Sequence, residues 1–311
     1  MPDFTGRAVS RGVMAFAAIF IVAHVASAAE QAPPKKPNVL LIMSDDLNTA
    51  LSGFGHPLCR TPELDRLAGK GVSFRRMYCQ FPICGASRSS LMNGLYPYST
   101  GDLGNTTKFR ETRPDAVTMS QMFMNNGYYV ARVSKIYHMG VPGGVETGLD
   151  AKKHNNGHGA DDADSWTERF NSLGPEWRAP GDGETLEGNP DGKRPVVGGN
   201  TFVVVEADGD DLVHSDGKTA AKAVQLIHQH KGEPFWLGVG FVRPHVPFVA
   251  PRVYFEPFLP YSKMTLPEKL DGDWDDIPIP GINYKTSRNM KMDLRRQRKA
   301  VGGYYASVAF M

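Results

Sequence analysis

Three pairs of polar side chains in the sequence could bind ions or transfer protons. Each pair follows an apolar run: Asp45 and Asp46, Lys135 and His138, and Arg243 and His245. Adjacent carboxylates supply the oxygen ligands that a hard cation prefers, whereas lysine, arginine and histidine bind anions or transfer protons. A single pair of this kind is also compatible with an ordinary polar turn. Only the arrangement of the three pairs in the fold can indicate a site.

The apolar runs before these pairs predict strands of a largely parallel sheet. They span residues 38–43, 128–133 and 234–241. The first is continuously apolar and stops at a polar cluster, which is typical of a strand buried in a parallel sheet. Ligands of open α/β sheets bind just beyond the carboxyl ends of the strands. We therefore expect the three pairs to converge on one site.

Helix signals alternate with these strands, as an α/β fold requires. One predicted helix begins at Thr61-Pro62, and four further helices are predicted over 87–95, 118–126, 220–230 and 287–309. Residues 140–199 are rich in Gly, Asp, Asn and Pro and predict an insertion beside a pocket. Asp161, Asp162 and Asp164 are predicted to be solvated loop residues. The basic residues of 285–299 could attract polyanionic glycans, but the solvated face of an amphipathic helix is the favoured interpretation.

Composition excludes several classes of protein. Of the 311 residues, 41% are hydrophobic and 22% charged, which excludes wholesale disorder. The net charge of +2 gives no electrostatic case for nucleic-acid binding. Three cysteines are too few for a disulfide scaffold.

The N-terminal residues 1–29 have the three-part pattern of a secretory signal peptide. Arg7 and Arg11 precede the apolar run 12–25, and small residues follow at 26–29. A membrane anchor is the alternative, but the run is shorter than the roughly 20 residues that span a bilayer. We predict a secreted or periplasmic protein whose mature domain begins at residue 30, with no later membrane span.

The segment Cys84–Gly94, CGASRSSLMNG, resembles the signature of the type I sulfatases, C-x-P-S-R-x-x-L-[LM]-x-G. The one departure is Ala86, where proline is usual. Residues 37–46, 61–68 and 127–138 match further family blocks in order, and 241–248 most resembles the iduronate-2-sulfatase branch. The resemblance covers about residues 36–311 and implies an alkaline-phosphatase-like α/β fold whose central sheet is largely parallel and flanked by helices.

The resemblance implies a nucleophile and a cation. In the family, the cysteine matching Cys84 is oxidised to 3-oxoalanine (formylglycine), whose hydrate attacks sulfur and can then expel sulfate. Asp45, Asp46 and the modified Cys84 would ligate Ca²⁺, which neutralises charge and acts as a Lewis acid.

Five further residues receive roles from the same resemblance. Arg88 would hold the formylglycine hydrate, and Lys135 would bind the sulfate oxygens. His138 would assist the hydrate, whereas His245 would bind sulfate and protonate the leaving alcohol. Arg243 would face the substrate, where a guanidinium suits a sugar carboxylate.

The implied partners are a sulfated carbohydrate and a maturation enzyme for Cys84. Ala86 favours a radical maturation enzyme over the aerobic formylglycine-generating enzyme, which prefers proline at that position. The family pattern continues beyond Met311 into an Asp-His-Gly motif and a lysine, so the catalytic domain is expected to be truncated in this sequence. Two alternatives to an active sulfatase are an inactive fragment or glycan-binding pseudoenzyme, and a phosphoester hydrolase of the same superfamily.

Overall fold

The computed structural model describes residues 36–140, 157–187, 201–268, 270–273, 275–279 and 292–311. The predicted signal peptide, parts of the predicted insertion and the first residues of the helix predicted over 287–309 lie outside these ranges.

Seven strands and seven α-helices are present in the described residues. The strands are β1 (Val39–Asp45), β2 (Tyr129–Ser134), β3 (Glu168–Phe170), β4 (Gly181–Thr185), β5 (Val203–Ala207), β6 (Phe235–Pro244) and β7 (Phe248–Pro251). The helices are α1 (Pro62–Ala68), α2 (Cys84–Asn93), α3 (Pro97–Thr100), α4 (Phe109–Thr112), α5 (Met119–Asn125), α6 (Ser215–His230) and α7 (Leu294–Phe310).

Four strands form a wholly parallel sheet in the order β1-β6-β2-β3. Strand β6 lies between β1, where Leu41 is opposite Gly238, and β2, where Ala131 is opposite Leu237. Parallel neighbours end at the same edge of a sheet, so the carboxyl ends of β1, β6 and β2 lie side by side. The prediction of an α/β fold with a parallel sheet is confirmed.

Strand β1 is an edge strand of the described sheet, and the prediction of a buried strand is wrong for one of its two faces. Leu40 and Ile42 are 46% and 50% exposed. Val39, Leu41 and Met43 point to the other face and pack on the core around Trp236. Successive side chains of a strand alternate between faces, and an all-apolar run conceals which face is covered.

Helices cover the sheet where their apolar faces match it. On α6, Ala223 and Leu226 pack against Val133, Leu237 and Val239 of the two central strands. The Thr118 side chain caps α5 by accepting from the Gln121 amide at 3.2 Å, as predicted. Helix α2 starts at Cys84, three residues before the predicted start, which places Cys84 in its first turn.

A second sheet, β4-β5-β7, supports α7. Phe248 of β7 and Ala306 of α7 belong to one buried apolar cluster. The carboxylate of Glu184 on β4 contacts Arg295 at 2.5 Å and Lys299 at 3.0 Å. These two cations of the basic segment therefore bind the helix to its own sheet, which supports the helix-face interpretation over glycan attraction.

The acidic residues predicted to be solvated include two that are buried. The side chain of Asp161 is completely buried and pairs with the equally buried side chain of Arg132 at 2.8 Å. Asp162 is 7% exposed and pairs with Arg110 at 2.6 Å. Only Asp164 is well exposed, with 72% of its side chain accessible. Sequence gives the charge of an aspartate but not the position of the arginine that pairs with it.

The cysteines are unpaired, and Cys59 is buried while Cys79 is exposed. Among the described residues, no helix combines the length and apolar character needed to cross a membrane.

Candidate active site

Residues from all three polar pairs predicted from the sequence come together at the carboxyl edge of the parallel sheet. Asp45 is the last residue of β1, Lys135 follows the last residue of β2, and His245 follows the last residue of β6. Cys84 joins them from the first turn of α2. Ligand atoms of Asp45, Cys84 and His245 all lie within 4.8 Å of one another.

Asp45 is at the centre of this cluster. One carboxylate oxygen lies 2.5 Å from Lys135 Nζ, and the other lies 3.3 Å from a terminal nitrogen of Arg88. The Cys84 Sγ donates to the same oxygen as Arg88 at 3.5 Å. Burial alone would raise the pKa of Asp45, but the charges of Lys135 and Arg88 outweigh it and hold the pKa well below its usual range. Asp45 is therefore a carboxylate.

The Lys135 backbone is fixed by close packing against the neighbouring strand. Its amide donates to the Gly240 carbonyl at 3.1 Å. A Cβ atom at Gly240 would lie only 2.0 Å from the Lys135 carbonyl oxygen, so only glycine fits there. Ser134 has a left-handed φ of 61°, and the guanidinium of Arg132 donates to its carbonyl at 3.0 Å. These contacts direct Lys135 towards Asp45.

Arg88 connects α2 with the segment that follows β2. One terminal nitrogen donates to the carbonyls of Lys135 at 2.6 Å and Ile136 at 3.1 Å, and the other faces Asp45. Arg88 therefore holds the Lys135 backbone and also lies beside the Cys84 position, where the resemblance placed it.

Cys84 is a protonated thiol in the unmodified chain. Burial and the nearby Asp45 carboxylate raise its pKa to about 11. A thiolate is the nucleophilic form of cysteine, so the environment opposes direct use of this sulfur. The next residue, Gly85, donates its amide to Asn105 Oδ1 at 3.0 Å, and a Cβ there would lie 2.3 Å from the Gly104 carbonyl oxygen.

The two histidines of the cluster differ in their surroundings. Burial and the positive charge of Lys135 lower the pKa of His138 to about 4, so this ring is neutral near pH 7. His245 Nδ1 lies 2.5 Å from the Val246 carbonyl, which can only accept, so Nδ1 carries a proton. Its Nε2 lies 3.6 Å from Asp46 Oδ2 and faces the cluster. Of the two rings, His245 is therefore the better oriented for proton transfer.

Arg243 is placed differently from the expectation that it faces a substrate. It is 2% exposed, and each of its three guanidinium nitrogens has a partner inside the protein. It contacts the Glu176 carboxylate and donates to the carbonyls of Val249 at 2.9 Å and His245 at 3.2 Å. Contact with a sugar carboxylate would require this buried ion pair to break. The geometry instead gives Arg243 the task of holding the His245 backbone.

Sequence reasoning missed several residues that support the cluster. Asp216, in the first turn of α6, accepts from the amides of Val242 and Arg243 at 3.0 and 2.8 Å. Asn105 caps the start of α2, and the buried Glu176 neutralises Arg243. All three come from segments distant in the sequence, and no local spacing pattern marks them.

The donor set suits a calcium ion. Asp45 and Asp46 offer hard carboxylate oxygens, which are the ligands that Ca²⁺ prefers, and Asp45 lies in the cluster with Cys84 and His245. A modified Cys84 bearing oxygen in place of sulfur would add a third hard ligand at the same position. Lys135, which contacts Asp45, and His245, which lies beside Asp46, supply positive charge and a ring nitrogen for an anion. The arrangement can therefore bind a cation and an anionic group next to each other.

Comparison with known proteins places the chain in a family. The family model described as Sulfatase matches residues 37–311. The chain is 30% identical over 288 residues to a sulfatase of Formosa agariphila, covering 89% of this chain and 53% of that protein. It is 29% identical over 291 residues to the human iduronate 2-sulfatase, covering 88% of this chain and 49% of the relative.

A solved structure supports the fold. The phosphonate monoester hydrolase of Silicibacter pomeroyi aligns with a TM-score of 0.61 at 17% identity, over 88% of this chain and 57% of that one. At this identity the likeness concerns architecture alone. The chain spans about half the length of the two sulfatases that it matches. With the family model matched along nearly all of the described residues, the chain belongs to the sulfatase family.

Proposed function

We propose that this protein is a sulfuric ester hydrolase that removes sulfate from a sulfated carbohydrate. The observation that carries the proposal is the convergence of Asp45, Lys135 and His245 on Cys84 within the sulfatase signature. Similarity to iduronate 2-sulfatase supports a sulfated uronic acid as the substrate class.

Cys84 would act after conversion to formylglycine. The raised pKa of the thiol is consistent with this, because the unmodified side chain is a poor nucleophile at neutral pH. When formed, the hydrated aldehyde supplies an oxygen nucleophile that can release sulfate and regenerate the aldehyde. A formylglycine-generating or radical maturation enzyme would be the partner that performs the conversion.

Ca²⁺ would be held by Asp45, Asp46 and the oxygen of the modified residue 84. When bound, it supplies positive charge that stabilises the anionic sulfate group. The remaining chemistry belongs to the side chains. Lys135 Nζ would bind a sulfate oxygen, and His245 Nε2 would donate a proton to the departing alcohol.

The placement of His245 favours it as the general acid. Donation from Nδ1 to the Val246 carbonyl fixes the ring orientation. Its Nε2 lies 3.6 Å from the Asp46 carboxylate and faces the cluster, where a proton donor is needed. His138 is neutral near pH 7 and would accept a hydrogen bond or proton from the nucleophile. Export by the predicted signal peptide would place the protein in the periplasm or outside the cell.

Turnover of a sulfated uronate disaccharide tests the proposal. Wild type should release sulfate in the presence of Ca²⁺ and lose activity with a chelator. Cys84→Ala should abolish turnover, whereas the matched variant Cys79→Ala, which alters an exposed cysteine, should retain it. Equal activity of Cys84→Ala and wild type would refute the proposal, and preferential cleavage of a matched phosphate ester would support the phosphoester hydrolase alternative.

A further inference from the structure

The side chain of Tyr304 on α7 reaches the turn that follows β1. Its hydroxyl accepts a hydrogen bond from the Asn48 amide at 2.8 Å and donates one to the Asp46 carbonyl, also at 2.8 Å. The two backbone groups lie in a segment more than 250 residues away in the sequence. Both hydrogen-bonding capacities of the hydroxyl are therefore used on a single turn.

This turn needs support, because Asp46 has a left-handed backbone with φ of 59°. A non-glycine residue in that region is strained and persists only when surrounding contacts hold it there. The Asn48 side chain adds one contact by accepting from the Ala50 amide at 2.8 Å. Tyr304 provides a tertiary hydrogen bond to the backbone of Asp46 itself.

The orientation of Asp46 depends on that backbone. Its side chain is 56% exposed, and its carboxylate lies 3.6 Å from His245 Nε2. Little packing thus restrains the Asp46 side chain. The position of its carboxylate therefore depends mainly on the backbone conformation of Asp46. A change in φ at Asp46 would turn the carboxylate away from His245 and from Cys84.

Tyr304 is well placed to act as a rigid support. Its ring packs edge-on against Phe248 with centroids 5.8 Å apart. Helix α7 is in turn attached to the second sheet through Glu184, which contacts Arg295 and Lys299. Burial raises the pKa of Tyr304 to about 12, so the hydroxyl keeps the proton that it donates to Asp46.

We propose that Tyr304 is a positioning residue that holds Asp46 in the orientation needed to bind the cation beside Cys84. The proposal deepens the proposed function and rests on it, because it assigns Asp46 to a calcium site. Tyr304 also connects the two sheets. Helix α7 packs on the second sheet, and its Tyr304 side chain holds the turn after β1 at the edge of the first sheet.

Replacement of Tyr304 by phenylalanine tests the proposal, because it removes the hydroxyl and keeps the ring. Tyr305→Phe is the matched control: the neighbouring ring packs on His56 and Phe258, whereas within the described part of the chain the tyrosine hydroxyl bonded to the Asp46 turn is that of Tyr304. The first measurement is amide hydrogen exchange at residues 46–48 without metal. The second is Ca²⁺ affinity by calorimetric titration with calcium chloride.

Tyr304→Phe should accelerate exchange of the Asn48 amide and weaken Ca²⁺ binding by about tenfold, as expected for loss of a partner that orients a ligand. Tyr305→Phe should match wild type in both. Unchanged exchange, or Ca²⁺ affinity within twofold of wild type, would overturn the positioning role. If wild type itself binds no Ca²⁺, the calcium part of the proposed function fails, and the exchange rates alone then decide whether Tyr304 fixes the turn.

Discussion

The ammonium group of Lys135 lies 2.5 Å from a carboxylate oxygen of Asp45, and both side chains are at most 5% exposed. The pair joins the residue proposed to bind sulfate with a residue proposed to bind Ca²⁺. Each side chain therefore neutralises the charge of the other until ligands bind. A cation would compete with Lys135 for Asp45, and an anion would compete with Asp45 for Lys135.

This pairing predicts that the two ligands assist each other. Ca²⁺ bound to Asp45 frees Lys135 to bind an anion, so sulfate affinity should rise about tenfold when Ca²⁺ is present, within the usual range of coupling between sites. Calorimetric titration of sulfate with and without Ca²⁺ measures the effect. Lys135→Met should remove most of the enhancement, and the same enhancement in that variant would show that Lys135 does not mediate it.

The buried pair of Arg243 and Glu176 predicts a large effect on stability. Glu176→Gln leaves the Arg243 guanidinium without its counter-charge, and loss of one partner from a buried pair typically costs about 3–5 kcal/mol. The free energy of unfolding from urea titration should fall by about that amount. Glu63→Gln, which removes the partner of an exposed i,i+3 pair with Arg66, is the control and should change little. Equal effects of the two variants would argue against a structural role for the buried pair.

Replacement of Ala86 by proline is predicted to change the maturation of Cys84 while leaving the fold intact. The first backbone hydrogen bond of α2 is donated by the Ser87 amide to the Ile83 carbonyl. The amide of residue 86 therefore precedes the regular hydrogen bonds of the helix. Ala86→Pro should therefore lose no helical hydrogen bond, and its cost should come from fitting a larger ring at this fully buried position. It should also raise conversion of Cys84 by the aerobic maturation enzyme, measured by peptide mass spectrometry. Ala86→Ser, which keeps a non-proline residue, should give no such increase.

Much of the site could be predicted because it follows from strand ends. Asp45, Lys135 and His245 each follow an apolar run, and parallel strands that end at one edge bring such residues together. Arg243 shows the limit of this reasoning. It occupies a similar position at the end of β6, yet its guanidinium points into the protein, because Glu176 from a distant segment supplies a buried counter-charge.

The supporting contacts could not be predicted for the same reason. Tyr304 and Asn105 have no pattern that distinguishes them from other polar residues, and their partners are set by tertiary packing. The exposure of Leu40 and Ile42 was missed because an apolar strand has the same sequence whether one or both faces are covered. Local spacing thus predicts which residues end strands but not what lies against them.

The low pKa of His138 predicts that stability depends on pH. In the folded chain this ring stays neutral down to about pH 4, whereas in the unfolded chain it binds a proton near pH 6.5. As pH falls from 6.5 to 4, only the unfolded state gains that proton, so the folded state loses stability. The full contribution of His138 is at most about 3 kcal/mol.

Urea unfolding at several pH values measures this dependence. Unmodified, metal-free wild type should lose stability over this interval more steeply than His138→Gln, which has no ring to protonate. Parallel pH profiles for the two proteins would mean that His138 is protonated in the folded state, contrary to its buried position beside Lys135.

The most direct test of the account measures the chemical state of Cys84 and sulfate release in the same samples. Preparations matured to different extents would be analysed by mass spectrometry of the Cys84 peptide and assayed with the sulfated uronate disaccharide and Ca²⁺. We expect turnover in proportion to the fraction of Cys84 converted to formylglycine, and none from the unmodified thiol. Full turnover with unmodified Cys84, or no turnover at complete conversion, would contradict it.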